Sequence, residues 1–368
     1  RRILPPGPDP ATAARSMPSS LATFFARGVA FTRPADGTAP GAAATGAAAA
    51  GAGEAASAFG AAAGELAEVD EELDRLSARE REVMTLLKEM GRKGLIEIGK
   101  TADGRLGFGL MPFVVGIYEE QVGRIDKELA QLFEDYYQAT FKKTLQVAPQ
   151  FHRVVPVGVP VKNNLEIRPY ESATGLIDQA QSWGVIDCIC RTQRKLIGKG
   201  CGHPIDVCMV ISMSPNAFTP RDDFRVLTHD EALRTLQRAA DAGLVHCVSN
   251  TREDVYYVCN CCTCSCAILR GMSEMGIANV VAKSAFVNTV EEDLCVTCGA
   301  CADACPFHAI ELDGTARVID LRCTGCGVCI SACPEGALSL VRRADAVEPP
   351  LDDHAWGEDR LAHRPLEE

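Results

Sequence analysis

Cationic excess is missing from this 368-residue chain: 37 Lys and Arg face 49 Asp and Glu, a formal charge of −12. That balance argues against a dominant nucleic-acid or anionic-membrane partner and suits docking to a basic patch. A nucleotide fingerprint is missing too. The Gly-rich stretch at 51–64 follows no strand and lacks the required spacing, so a hydride donor would have to come from a partner. No segment reads as a membrane span, because the 39–64 tract is nearly all Ala and Gly and offers little to bury in lipid. No signal peptide is evident, and no cysteine occurs before Cys188. All 18 cysteines then fall within 188–333. Thiols crowded into CxxC spacings favour metal in a reducing compartment over a disulfide framework, so a cytoplasmic location is expected.

The densest pattern is Cys295-Val-Thr-Cys298-Gly-Ala-Cys301-Ala-Asp-Ala-Cys305-Pro306. It repeats 28 residues later as Cys323-Thr-Gly-Cys326-Gly-Val-Cys329-Ile-Ser-Ala-Cys333-Pro334. Three cysteines on a tight loop can hold three corners of a [4Fe-4S] cubane, while the fourth, expected to start a helix, points away to the other cluster. The spacing therefore predicts Cys295, Cys298, Cys301 and Cys333 on one cluster, and Cys323, Cys326, Cys329 and Cys305 on a second. Zinc would call for four ligands in two pairs, not two in-register triplets each closed by proline.

The length allows two or three domains, and 47% hydrophobic residues supply a sizeable core. Residues 1–66 read as a Pro/Ala/Gly-rich linker, with a weak docking-helix signal at 21–31. Residues 67–148 begin with helical spacing from Glu68, interrupted at Ser77 and ended by Gly91 and Gly94. A hairpin follows across Asp103-Gly104, giving a winged-helix outline, and then one long helix over 117–146. Acidic residues surround the few basic ones there, so structural packing is expected ahead of DNA binding. A helix is expected to run through about Trp183. The last segment, 344–368, reads as a frayed polar tail.

Ten cysteines precede the repeat, in a module spanning 149–283: Cys188 and Cys190, Cys201 and Cys208, Cys247, and then Cys259, Cys261, Cys262, Cys264 and Cys266. Between them Thr228-His-Asp-Glu231 is a capping box opening a helix that Gly243 closes. Cys259, Cys261 and their neighbours are expected to project to opposite sides of an extended segment. Leaving Cys247 aside as a buried free thiol, nine thiolates could serve two further cubanes, one cluster plus inert thiols, or a zinc ion. His203 and His246 could be ligands, though nothing nearby demands it and a structural role is expected, and Arg191 could donate to a cluster or pair with an acid.

Over about 70–343 the chain resembles prokaryotic two-[4Fe-4S] ferredoxin-type proteins that carry an upstream cysteine-rich module and a winged-helix-like segment. The resemblance rests on Cys188–Arg191, Cys201–Cys208, Cys259–Cys266 and the duplicated repeat. Asn260 and Ser265 stand where such proteins often carry cysteine, which marks those two positions as dispensable ligands. The fold class expected is α+β: a winged-helix-like segment and long helix, a Cys-rich α+β module, and a bacterial-type two-cluster ferredoxin fold at 284–343. The function expected is electron transfer, with a redox partner such as a flavoprotein or oxidoreductase complex. The cofactors expected are two [4Fe-4S] clusters and one or two more upstream. Two alternatives are an enzyme with an unusual cluster in 188–266 and a redox-sensing winged-helix regulator.

Overall fold

The computed structural model describes residues 77–100, 106–111, 113–156 and 167–363. The expected linker at 1–66, the docking helix at 21–31, the helical start at 68–76 and the Asp103-Gly104 turn lie outside the described residues.

Helix α1 (Ala78–Arg92) begins where the sequence breaks its periodicity. Ser77 is the N-cap, and a capping box joins it to Glu80. Strands β1 (Glu97–Lys100) and β2 (Leu106–Gly109) pair antiparallel. Ile98 is fully buried against the last turn of α1, where a Cβ at Gly91 would stand 2.3 Å from its Cδ1. Gly91 thus lies inside the helix it was expected to end.

The long helix expected over 117–146 starts later. Gly123 adopts φ +80°, and the Asp126 carboxylate caps α2 (Lys127–Tyr136) by accepting from Leu129 N at 2.8 Å. A wider turn at 137–141 leads directly into α3 (Lys142–Gln146). Phe133, Tyr137 and Phe141 face inward, with Phe133 stacked on Tyr118 at 3.9 Å between ring centres, while Leu129, Leu132 and Tyr136 stay exposed.

The central layer is a seven-stranded sheet. Its elements follow in chain order: β3 (His152–Val154), α4 (Ala173–Gln179), β4 (Ser182–Ile186), α5 (Ile189–Leu196), β5 (Cys208–Ser212) and β6 (Phe224–Leu227). Then come α6 (His229–Asp241), β7 (Val245–Ser249), β8 (Tyr257–Cys261), α7 (Arg270–Ser273) and β9 (Val281–Ala282). The strand order is β6-β4-β5-β8-β7-β3-β9, antiparallel except where β9 joins β3. The helix expected to reach Trp183 stops at Gln179; Trp183 lies in β4 and its indole donates back to Ile177 O at 2.9 Å. Thr228 and Glu231 do form the capping box of α6, and Gly243 follows its end with φ +71°.

A smaller lobe completes the chain: β10 (Phe286–Val290), α8 (Ala300–Ala304), β11 (Ile310–Asp313), β12 (Thr315–Val318), α9 (Val328–Ser331) and β13 (Leu338–Arg342). Strand β10 pairs with β13, and β11 with β12 around Gly314. One hydrophobic core runs through both lobes, from Val245 and Ile268 to Phe307 and Leu338. One bidentate ion pair reinforces the junction. Arg342 holds Glu171 through both guanidinium nitrogens at 2.7 Å, and Arg343 donates to Phe286 O and Cys323 O within its own lobe. The architecture is mixed α+β.

The frayed tail expected at 344–368 is instead a docked helix, α10 (Asp353–Ala362). Its anchors are non-local. Trp356 Nε1 donates to Gln150 O at 2.9 Å, and Arg360 donates to the carbonyls of Thr144, Val147 and Pro149 while lying 4.0 Å over the Phe151 ring. A guanidinium over the carbonyl end of α3 satisfies acceptors that the helix itself leaves open.

Candidate metal centres

In the small lobe each cysteine triplet runs from an irregular loop into a single helical turn. The residue that starts the turn is glycine in the left-handed region: Gly299 at φ +83° before α8, Gly327 at φ +80° before α9. A side chain at either position would be strained, so these loops can be this tight only with glycine. The fourth cysteine does not start a helix, as the spacing suggested. Cys305 ends α8, and Cys333 lies just beyond α9.

Cys295, Cys298, Cys301 and Cys333 line one cavity. Burial pushes the Cys301 thiol up, and the nearby Cys333 and Cys295 thiols add to the shift. A second group holds Cys305 with Cys323, Cys326 and Cys329. Burial drives Cys326 up to about 12, with Cys305 and Cys323 adding charge repulsion, and Cys329 rises for the same reasons. The first group is the more accessible, since Cys298 is exposed and all four of the second are buried.

Donors are aimed at the sulfurs: Ala309 N to Cys305 Sγ at 3.3 Å, Ala337 N to Cys333 Sγ at 3.3 Å, and Asn288 Nδ2 to Cys329 Sγ at 2.8 Å. Cys301, Cys326 and Cys329 resist ionisation as bare thiols, whereas backbone hydrogen bonds from Ala316 and Thr297 lower Cys295; a cationic centre would favour the thiolate at each of them. The residues fit iron–sulfur ligation. No disulfide is present among the described residues.

Upstream, six cysteines line a second cavity: Cys188, Cys190, Cys208, Cys259, Cys261 and Cys266. Neighbouring thiols perturb one another's ionisation around a ring in the order Cys188, Cys190, Cys266, Cys261, Cys259, Cys208. The fold supplies each corner. Cys188 is the N-cap of α5 and Cys190 lies in its first turn, Cys208 opens β5, Cys259 and Cys261 stand two apart on β8, and Cys266 follows the turn after β8. The expectation that Cys259 and Cys261 diverge is therefore corrected: a two-residue period places both on one face. Hydrogen bonds from Cys190 and Cys208 hold the Cys188 thiol well below the usual range, with the Arg191 charge assisting, and Cys190 rises in consequence.

Glu119, His152 and Asp187 line the same cavity. Burial raises Glu119 to about 7 and lowers His152 to about 4. His152 is buried with neither ring nitrogen partnered among the described residues, and it stands within 4.8 Å of the Cys247 and Cys261 sulfurs. Cys247, expected to be an isolated buried thiol, is buried but adjoins Cys261. Of the other expected ligands, Cys201, Cys262 and Cys264 do not reach the ring and gather separately with His203.

His152 and Glu119 escaped the sequence reading, while His203, weighed there as a possible ligand without a demanding context, does stand with cysteines. Arg191 pairs with no acid among the described residues. It is buried between the two groups, with Nη1 3.0 Å from Asn260 O and 3.8 Å from Cys262 Sγ.

Comparison with known proteins touches the small lobe. Residues 294–337 match the 4Fe-4S dicluster domain. A ferredoxin from Pyrobaculum islandicum is 50% identical over 32 residues, which is 8% of this chain and 30% of that protein. No solved structure matches. The lobe is thus a ferredoxin-type iron–sulfur domain, with the family match confined to 294–337. No helix among the described residues is long and apolar enough to cross a membrane.

Proposed function

We propose that this chain, which carries a ferredoxin-type 4Fe-4S domain, is an electron-transfer protein: a relay or subunit that passes electrons to or from a cytoplasmic oxidoreductase. Cys295, Cys298, Cys301 and Cys333 would hold one [4Fe-4S] cluster; Cys323, Cys326, Cys329 and Cys305 would hold the other. The observation that carries the reading is the sharing of one cavity by Cys333 and the first triplet, 32 residues upstream of it at the nearest (Cys333 − Cys301). Bound clusters supply one-electron chemistry. The protein's own contribution is to fix the thiolates, aim Asn288 and the Ala309 and Ala337 amides at sulfur, and keep the second set dry.

The six-thiol ring would hold a third cluster, extending the relay into the large lobe. Anaerobically purified protein is then expected to contain about twelve irons, with equivalent sulfide, counting four per cubane. About eight would mean that the ring binds none, and absence of labile sulfide would sink the whole reading.

A second reading has a specific observation behind it. Glu119 and neutral His152 line the ring cavity, giving it proton-handling groups beside two thiols more than a cubane uses. A catalytic cluster there would change its EPR spectrum on adding substrate. An unchanged spectrum across small carbonyl, sulfur and nitrogen substrates would count against catalysis.

A further inference from the structure

Four donors outside both ferredoxin quartets and outside the thiol ring converge on one point. They come from two segments: Cys201 and His203 on the loop before β5, and Cys262 and Cys264 on the turn after β8. All four donor atoms lie within 4.8 Å of one another. Cys201 Sγ is 4.0 Å from Cys262 Sγ and 3.4 Å from His203 Nδ1, which is 3.7 Å from Cys264 Sγ. We propose that Cys201, His203, Cys262 and Cys264 bind a single zinc ion.

The separations decide the nuclearity. Zinc bonds of about 2.3 Å to sulfur and about 2.0–2.1 Å to nitrogen put tetrahedral donors roughly 3.5–3.8 Å apart. Thiolates on a cubane each bind a different iron, so the cluster itself holds them farther apart than this. The donor chemistry decides the metal. Three thiolates and one imidazole form a closed tetrahedral set, with no position left for water, which is the pattern of structural zinc.

The surroundings fit the charge. Three thiolates on a divalent ion leave one net negative charge, and the buried Arg191 guanidinium lies 3.8 Å from Cys262 Sγ. Its Nε and Nη2 have no other partner among the described residues. Ser265 Oγ is 3.4 Å from Cys201 Sγ, placed to hydrogen-bond a ligand from outside the coordination sphere. Binding releases the thiol protons and transfers no electrons. The ion ties the loop leading to Cys208 to the turn between Cys261 and Cys266, so it braces the ring without belonging to the electron path. The proposal does not depend on the electron-transfer reading.

The test is metal analysis and zinc K-edge X-ray absorption on the full chain, purified anaerobically with its iron complement. About one zinc per chain is expected, with three sulfur neighbours near 2.3 Å and one nitrogen near 2.0–2.1 Å. His203→Ala combined with Cys264→Ser is expected to remove the zinc and leave iron content unchanged. Three results would overturn the proposal: no zinc in the iron-loaded wild type, a sulfur-only zinc shell, or mononuclear iron at the site. Because the absorption measurement needs no variant, it decides even if the double substitution fails to fold.

Discussion

Glu134→Ala is expected to destabilise the protein by about 3–5 kcal/mol, read as a shift in the urea unfolding midpoint under anaerobic conditions. Glu134 is a buried carboxylate on α2 that accepts two hydrogen bonds from Arg270, at 3.0 and 2.7 Å, one from Arg194 at 3.0 Å and one from Gln138 at 3.1 Å. Arg270 is fully buried and lies 4.2 Å over the Tyr137 ring, while Glu274 completes the network from its partly exposed position. Removing Glu134 leaves two buried guanidinium groups against one carboxylate, and that uncompensated charge dominates the cost. Glu274→Ala, at the wetter end, should cost clearly less. Equal costs would show that charge burial is not the cause.

The same carboxylate sets a pH window. Burial alone would raise it, but hydrogen bonds from Arg270 and Gln138 and the charges of Arg270 and Arg194 hold it at about 2. A carboxylate depressed below its ordinary 4.5 contributes stability that is complete above that value and is lost as pH falls toward 2. The gap between wild type and Glu134→Ala should therefore be full at pH 7 and begin to close below about pH 5. A gap that stays constant to pH 4 would refute the assignment.

The second large effect concerns the crossed ligands. Cys333→Ala is expected to remove the same cluster signal as Cys298→Ala, with loss of about four irons. Cys305→Ala should instead reproduce Cys323→Ala. EPR of the reduced variants separates the two quartets because their settings differ: Cys298 is exposed, whereas Cys305, Cys323, Cys326 and Cys329 are all buried. If Cys333→Ala perturbed the buried quartet, each repeat would be holding its own cluster and the crossing would be wrong.

What could be read from the sequence was local. The duplicated triplets, the tight Gly299 and Gly327 turns, the Thr228 capping box and the hairpin at Gly314 are all specified within a few residues. The division of the upstream cysteines was not local. It depends on β8 pairing with both β5 and β7, which brings Cys201 beside Cys262 across 61 residues of chain. Docking of α10 escaped for a related reason: carbonyls left open near Thr144 recruit Arg360, 216 residues away. The late start of α2 could have been read from Gly123 and Asp126, whose backbone and capping preferences oppose the apolar periodicity that runs through them.

The join between the lobes has a kinetic meaning. Three residues, 283–285, separate β9 at the edge of the large sheet from β10 in the small lobe, and Arg342 clamps back onto Glu171. Such a short span leaves no tether on which one lobe could wander. If the thiol ring holds a centre as proposed, its exchange with one in the ferredoxin lobe would be a first-order process, with the same rate in a dilute cuvette as in a crowded cell. Encounter would enter only at the outer ends of such a proposed relay, so ionic strength and protein concentration should change delivery to a partner while leaving internal exchange untouched.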